Sequence, residues 1–186
     1  IESTNFNNNQ SSTCGGGIYS GLSNVVIKNS ILTNNSDVCG GPSLFIENGT
    51  SSMINTTITD NDGPMWLYAT SDFTIKNSII DGGIFAEGSE YFVSYSLSDV
   101  ILNGENGSNN LVGAPLFIDA ANGDYRLSDY SPAIGAGTSD GAPTTDINGN
   151  LRPNPDGSNP DMGAYENSLP SQLPKAGTIA DGLGID

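Results

Sequence analysis

Val25-Val26-Ile27-Lys28-Asn29-Ser30-Ile31-Leu32 returns as Ser51-Ser52-Met53-Ile54-Asn55-Thr56-Thr57-Ile58 and again as Phe73-Thr74-Ile75-Lys76-Asn77-Ser78-Ile79-Ile80. Ser3-Thr4-Asn5-Phe6 keeps the end of an earlier copy. The apolar residue closing each copy falls at Phe6, Leu32, Ile58 and Ile80, in steps of 26 (6 to 32), 26 (32 to 58) and 22 (58 to 80). A period in the twenties marks a solenoid, in which a copy buries its apolar side chains only by stacking on its neighbours.

Within a copy, small or apolar residues sit two apart on either side of the Asn, with polar residues between them. That is the alternation of two short strands meeting at a bend. Asn suits the bend because it tolerates the left-handed conformation and its amide can bond to the Asn above and below. Asn29, Asn55 and Asn77 are therefore expected to form an inward structural ladder. A third strand is visible in Gly17-Ile18-Tyr19, Pro42-Ser43-Leu44-Phe45-Ile46 and Pro64-Met65-Trp66-Leu67-Tyr68, with Ile18, Leu44 and Trp66 in equivalent places. Three strands per rung give an all-β fold, a parallel β-helix solenoid. Helical solenoids do not fit, since Gly-rich and Asn-rich breaks leave no stretch of helical period long enough for a helix pair. The loop between the second and third strands shortens along the chain, from 7–16 through 34–41 and 60–63 to 81–83. One side of the solenoid carries that length variation, where repeat proteins usually place a binding face.

The 186 residues carry 21 Asp and Glu against 5 Lys and Arg, a formal net charge of −16, and no histidine. Such a surface repels phosphate backbones and anionic lipid, which excludes nucleic acid as a partner. No apolar run approaches the roughly 18 residues that span a bilayer, so no membrane insertion within this chain is expected. The missing histidine removes the usual general base and the usual transition-metal ligand. Cys14 and Cys39 lie in the variable loops of successive rungs, 8 residues after Phe6 (6 to 14) and 7 after Leu32 (32 to 39). Rungs about 4.8 Å apart fall within the Cα separations a disulfide accepts, so a Cys14–Cys39 disulfide is the preferred reading and two free thiols the alternative. A bridge implies an oxidising location, secreted or at the cell surface. Ile1 already falls inside a rung, which reads as the start of a fragment or of a processed chain.

Beyond about Asp99 the rung pattern fades into a Gly-, Asn-, Asp- and Pro-rich stretch with distinctive segments. They are Val93-Ser94-Tyr95-Ser96-Leu97, Gly113-Ala114-Pro115-Leu116-Phe117-Ile118, Asp119-Ala120-Ala121-Asn122-Gly123-Asp124-Tyr125-Arg126-Leu127, Ser131-Pro132-Ala133-Ile134-Gly135-Ala136-Gly137, Asp146-Ile147-Asn148-Gly149-Asn150-Leu151-Arg152-Pro153 and Asp161-Met162-Gly163-Ala164-Tyr165-Glu166. In that order, across about residues 91 to 166, they resemble the C-terminal part of bacterial right-handed parallel β-helix proteins of the choice-of-anchor Q domain type. The resemblance implies a right-handed solenoid in a secreted or surface-displayed bacterial protein with an anchoring segment downstream, and it supplies no catalytic site. The expected organisation is β-helix rungs over 1–98, the β-helix end and an irregular capping segment over 99–166, and a linker or tail over 167–186.

A β-helix lyase would need a base beside a uronate carboxylate, and the basic residues are only Lys28, Lys76, Arg126, Arg152 and Lys175. Lys28 and Lys76 take the same outward position two rungs apart with Ile54 between them, a surface stripe rather than a site. A glycoside hydrolase would need two carboxylates about 5 to 10 Å apart, for which Asp60 and Asp81 on adjacent rungs are the weak catalytic candidates. Asp146, Asn148, Asp156 and Asp161 gather hard oxygen ligands suited to calcium, although Asx-turns with Arg126 and Arg152 paired to carboxylates explain the same residues. Tyr19, Phe45, Leu67 and Tyr91 are candidates for a sugar-stacking platform or for simple cover of a sheet face. Asn-x-Ser/Thr occurs at Asn9, Asn34, Asn48, Asn55 and Asn106. The function expected is a non-enzymatic extracellular structural or adhesive module, in contact with polysaccharide or with other copies of itself. A polysaccharide-active enzyme and a filament subunit packed end to end are the alternatives.

Overall fold

A computed structural model describes residues 1–69, 72–102 and 107–171. In chain order the strands are β1 (Asn5–Asn7), β2 (Ile18–Gly21), β3 (Val26–Lys28), β4 (Ile31–Thr33), β5 (Leu44–Glu47), β6 (Ser52–Ile54), β7 (Thr57–Thr59), β8 (Met65–Tyr68), β9 (Phe73–Lys76), β10 (Ile79–Ile80), β11 (Ile84–Glu87), β12 (Tyr91–Ser94), β13 (Leu97–Ser98), β14 (Leu111–Val112), β15 (Phe117–Asp119) and β16 (Asp124–Leu127). The first thirteen fall in rotation on three parallel sheets and β14 follows β13 in the same one, so that the orders are β1-β4-β7-β10-β13-β14, β2-β5-β8-β11 and β3-β6-β9-β12. The fold is the right-handed parallel β-helix, three strands to a rung. Its register follows the repeat: Phe6 pairs with Leu32, Leu32 with Ile58 and Ile58 with Ile80. Lys28, Ile54 and Lys76 form the expected outward row.

One expected equivalence shifts by a residue. Ile18 pairs with Leu44, but Trp66 pairs with Phe45, a step of 21 (45 to 66). Met65 takes the inward place instead, fully buried like Leu44. Because side chains alternate across a strand, a slip of one moves Trp66 to the outer face. There it joins a stack of Tyr19, Phe45, Trp66 and Phe85, with ring centroids 5.7, 6.0 and 4.5 Å apart.

The two bends that flank the six-stranded sheet are each built from one residue in the left-handed region followed by one that points inward. At the corner entering the six-stranded sheet the left-handed residues are Asn29, Asn55, Asn77 and Tyr95, with φ of 46, 48, 50 and 49°. The residues that follow, Ser30, Thr56, Ser78 and Ser96, are fully buried. Their hydroxyls join the rungs: Thr56 N donates to Ser78 Oγ at 3.2 Å and Ser78 N to Ser96 Oγ at 3.1 Å. At the corner leaving the same sheet, Asn8, Asn34 and Asp60 are left-handed, and Asn9, Asn35 and Asn61 follow. Asn9 Nδ2 donates to Asn35 Oδ1 at 2.9 Å and Asn35 Nδ2 to Asn61 Oδ1 at 3.0 Å. The inward asparagine ladder is therefore at Asn9, Asn35 and Asn61.

The four central strands of the six-stranded sheet, β4, β7, β10 and β13, are buried on both faces. Leu32, Ile58 and Ile80 pack in the solenoid interior with Ile27, Met53 and Ile75. On the outer face Ile79 and Leu97 meet Leu127, Ala133, Ile134 and Met162, while Ile31 meets Tyr125 and Ala164. The irregular C-terminal segment thus caps the solenoid along its flank, as a strap across the rungs. The antiparallel pair β15–β16 belongs to it. So do Asn167, whose Nδ2 donates to the Leu127 carbonyl at 3.0 Å, and Leu169, which packs on the same apolar cluster. Of the expected tail over 167–186, residues 172–186 lie outside the described residues, Lys175 among them, as does Asn106 of the glycosylation motifs. Among the described residues, no helix is long and apolar enough to cross a membrane.

Candidate functional site

Asn29, Asn55 and Asn77 are buried, but not as the inward ladder that the repeat suggests. Ile27 faces in and Lys28 out; the left-handed residue that follows keeps its side chain outside, and the strap lies over it. Asn29 Nδ2 donates to the Thr145 carbonyl at 2.7 Å, Asn55 Nδ2 to the Asp161 carbonyl at 3.0 Å and Asn77 Nδ2 to the Thr138 carbonyl at 2.7 Å. Thr138 N in turn donates to Asn77 Oδ1 at 2.9 Å. One link of the expected ladder remains, from Asn77 Nδ2 to Asn55 Oδ1 at 3.3 Å. Backbone bonds add to the grip, with Gly163 N donating to the Asn77 carbonyl at 2.7 Å and Ala164 N to Thr57 Oγ1 at 3.0 Å. This corner is a docking strip for the strap.

Beneath the strap sits a buried ionic cluster. Arg152 Nε donates to Glu166 Oε2 at 2.8 Å, with both side chains wholly buried. Its other nitrogens donate to Asn29 Oδ1 at 3.0 Å and the Gly163 carbonyl at 3.2 Å, so one guanidinium ties strap to solenoid. Asp161 Oδ1 accepts from Gly135 N at 2.7 Å and Oδ2 from Asn167 N at 2.6 Å. Burial, with Glu166 repulsion second, pushes the Asp161 carboxyl up to about 7 against these bonds and the pull of Arg152. Burial likewise raises Glu166 despite its cationic partner, and lowers Arg152. Three carboxylates and one guanidinium share the cluster, since Asp146 also acts on Arg152.

The four residues considered for calcium divide between turns and solvent. Asp146 Oδ1 accepts from Asn148 N and Asn150 N, each at 2.9 Å, and Oδ2 from Asn150 Nδ2 and Glu166 N, each at 3.1 Å. That is an Asx-turn. Asp161 is spent on backbone N–H groups as above, and Asp156 is exposed. Among the described residues no group of three or more His, Cys, Asp or Glu side chains is arranged to hold a metal ion. The cations are paired as the turn reading requires, Arg126 with Asp124 at 2.6 Å and Arg152 with Glu166.

Asp60 and Asp81 lie at the rim where the six-stranded sheet meets the variable loops. Tyr125 Oη donates to Asp60 Oδ2 at 3.0 Å, so the strap occupies that carboxylate. Asp81 Oδ2 accepts from Thr59 Oγ1 at 2.7 Å, while its Oδ1 is enclosed without a partner. Burial raises the Asp81 carboxyl, and Asp99 and Asp60 add repulsion. The pairing of Ile80 with Ser98 puts Asp99 next to Asp81 on the following rung, where Asp99 Oδ1 accepts from Gly82 N at 3.0 Å.

The aromatic candidates divide as well. Leu67 is fully buried and Tyr91 packs against the core, so neither belongs to an outer platform. In the Tyr19–Phe85 stack each ring covers its neighbour, leaving free faces only at the two ends, on Tyr19 (53 % exposed) and Phe85 (43 % exposed). A sugar needs a ring face, so the stack offers no platform along its length. Loop 34–41 lies on it: a Cβ at Gly40 (φ 120°) would collide with the Trp66 indole. Cys14 and Cys39 are joined as a disulfide, Cα atoms 5.1 Å apart, which ties this loop to the one below. The strap contacts were out of reach of the sequence, because they join residues far apart along the chain, from 61 positions in Asn77 with Thr138 to 123 in Asn29 with Arg152. The signal that could have found them is Arg152 itself, the one cation in a Pro-rich stretch of a chain so short of cations.

No curated protein and no solved structure matches the chain. The family model of the right-handed β-helix region matches residues 1–121 of the 186, and the chain belongs to that family.

Proposed function

We propose that this chain is an extracellular structural module, a stiff acidic rod in which the strap and the disulfide clamp rung to rung. The observation that carries the reading is the occupied flank: the strap covers the outer face of the longest sheet and engages Asp60, leaving little of that side for a polymer substrate. The disulfide supports an oxidising compartment. The ordered motifs over residues 91–166 support the finer likeness to bacterial choice-of-anchor Q domain proteins, and with it surface display and a role in adhesion. Glycan contact at the free ring faces of Tyr19 and Phe85 fits the same setting.

A second reading rests on Asp81. A carboxyl raised by burial, with a second carboxylate, Asp99, on the next rung adding repulsion, supplies the two acidic groups a glycosidase works with. Incubation with a panel of acidic and neutral glycans, scored for binding and for new reducing ends or unsaturated sugars, separates the two. The structural reading expects no cleavage; cleavage abolished by Asp81→Asn replaces it with the enzyme.

A further inference from the structure

β11 is the last strand of the sheet β2-β5-β8-β11 among the described residues: β12, β13 and β14, which follow it, belong to other sheets. Met65 N donates to the Gly83 carbonyl at 3.3 Å and Ala69 N to the Glu87 carbonyl at 2.8 Å, so these residues face β8. By the alternation of a parallel ladder Phe85 faces β8 too, and the N–H and C=O groups of Ile84 and Ala86 point to the open side. Among the described residues no strand pairs with them. Beside that edge lies a cavity of about 380 Å³ whose lining includes Phe85, Tyr91, Val100, Ile101 and Leu102. Ile101 is 71 % exposed there.

Two outward columns end at this strand and specify what would continue them. One is the aromatic stack, in which Phe85 meets Trp66 at 4.5 Å by one face and leaves the other free. The second is Gly21, Glu47, Tyr68 and Glu87, paired rung by rung. Glu87 is exposed, and Glu90 is exposed three residues on. Three of the chain's cations are in ion pairs elsewhere, Lys76 with Asp140, Arg126 with Asp124 and Arg152 with Glu166.

We infer that β11 accepts an extended strand from a partner protein, laid parallel to it, with an apolar or aromatic residue over Phe85 and a Lys or Arg two positions later beside Glu87. Main-chain bonds to Ile84 and Ala86 supply the pairing, and alternate side chains set the register. The carboxylates of Glu87 and Glu90 select a basic strand and repel an acidic one, at a cost that salt reduces. The inference goes beyond the structural reading, since it gives the end of the rod a partner.

The probe is a labelled peptide, Thr-Val-Thr-Phe-Thr-Lys-Thr-Val, titrated against the full chain by fluorescence anisotropy, with versions carrying Glu for Lys or Ser for Phe. Saturable binding is expected, weakened at least tenfold by either peptide change. Ala86→Pro, which removes an edge N–H, should abolish it. Glu87→Lys leaves the edge backbone intact and should reverse the preference towards the Glu-bearing peptide, so the test survives a failure of Ala86→Pro to fold. Absence of saturable binding overturns the inference, as does binding indifferent to Glu87→Lys. A concentration-dependent dimer lost in Ala86→Pro would make a second copy the occupant and equally overturn it.

Discussion

The molecule carries two columns of asparagine, one rung apart in each case, and they do opposite work. Asn9, Asn35 and Asn61 point inward and hand their amides to one another, Asn35 also donating to the Phe6 carbonyl at 2.9 Å. Asn29, Asn55 and Asn77 stand at left-handed corners and hand theirs to the strap. The same residue type at the same spacing serves as internal scaffold in one place and as a docking strip in the other. What differs is position relative to the bend: the left-handed residue itself looks out, and the residue after it looks in.

The comparison breaks first at Arg152, which joins the strap to the outer column. Arg152→Met strands the buried Glu166 carboxylate and removes a donor from Asn29, and is expected to cost about 3 to 5 kcal/mol in denaturant melts. A cost under about 1 kcal/mol would mean that the cluster does not hold the strap.

The two columns can next be set against each other. Asn35→Leu takes the acceptor from Asn9 N and Nδ2 and the side-chain donor from the Phe6 carbonyl and Asn61 Oδ1, and should cost about 2 to 4 kcal/mol, with the loss spread over the rungs. Asn55→Leu should cost about 1 to 3 kcal/mol, from the lost bonds to Asp161 and Gly163, and fall on the strap. Equal effects with the same unfolding cooperativity would erase the distinction.

The columns also separate by pH. The Asp161 carboxyl is raised in the folded chain, so between its unfolded value of 3.8 and about 7 the folded state holds a proton that the unfolded state has lost. Stability from this group therefore rises as pH falls through 7 towards 4, by at most about 1.4 kcal/mol per pH unit for one proton. Melts of Asp161→Asn across that range should show a flatter profile than the parent, whereas Asn35→Leu should keep the parent slope. Chelation of divalent cations is expected to do least. Asp146 and Asp161 already spend their oxygens on N–H donors, so EDTA should leave the midpoint unmoved; a fall reversed by calcium would restore a metal to the turn around Asp146.

The rungs were legible because strand alternation and the 26-residue step are carried by local residues, and the apolar partners Phe6, Leu32, Ile58 and Ile80 stack as the repeat requires. The direction of Asn29, Asn55 and Asn77 was not, since a left-handed residue interrupts the in-and-out count and strand parity cannot be carried through it. Trp66 misled for a related reason: a loop one residue shorter than the spacing assumed moved it across the sheet. The strap was harder still. Leu127, Ala133, Ile134, Met162 and Ala164 follow no period, and their order comes from contacts with a surface that exists only once the rungs have stacked. The disulfide was readable because both cysteines lie at matched offsets on adjacent rungs.

The most direct test of the account is native-state hydrogen exchange on Asn55→Ala and Asn35→Ala beside the parent chain. If the outer column holds the strap, Asn55→Ala should speed exchange at Gly135, Gly137, Met162 and Gly163, whose N–H groups are bonded within the strap or to the corner, and leave Met53 and Ile75 inside the solenoid protected. Asn35→Ala should speed exchange in the solenoid near Asn9 and Asn61. Strap amides that stay protected in Asn55→Ala, or solenoid and strap opening together in both variants, would contradict it.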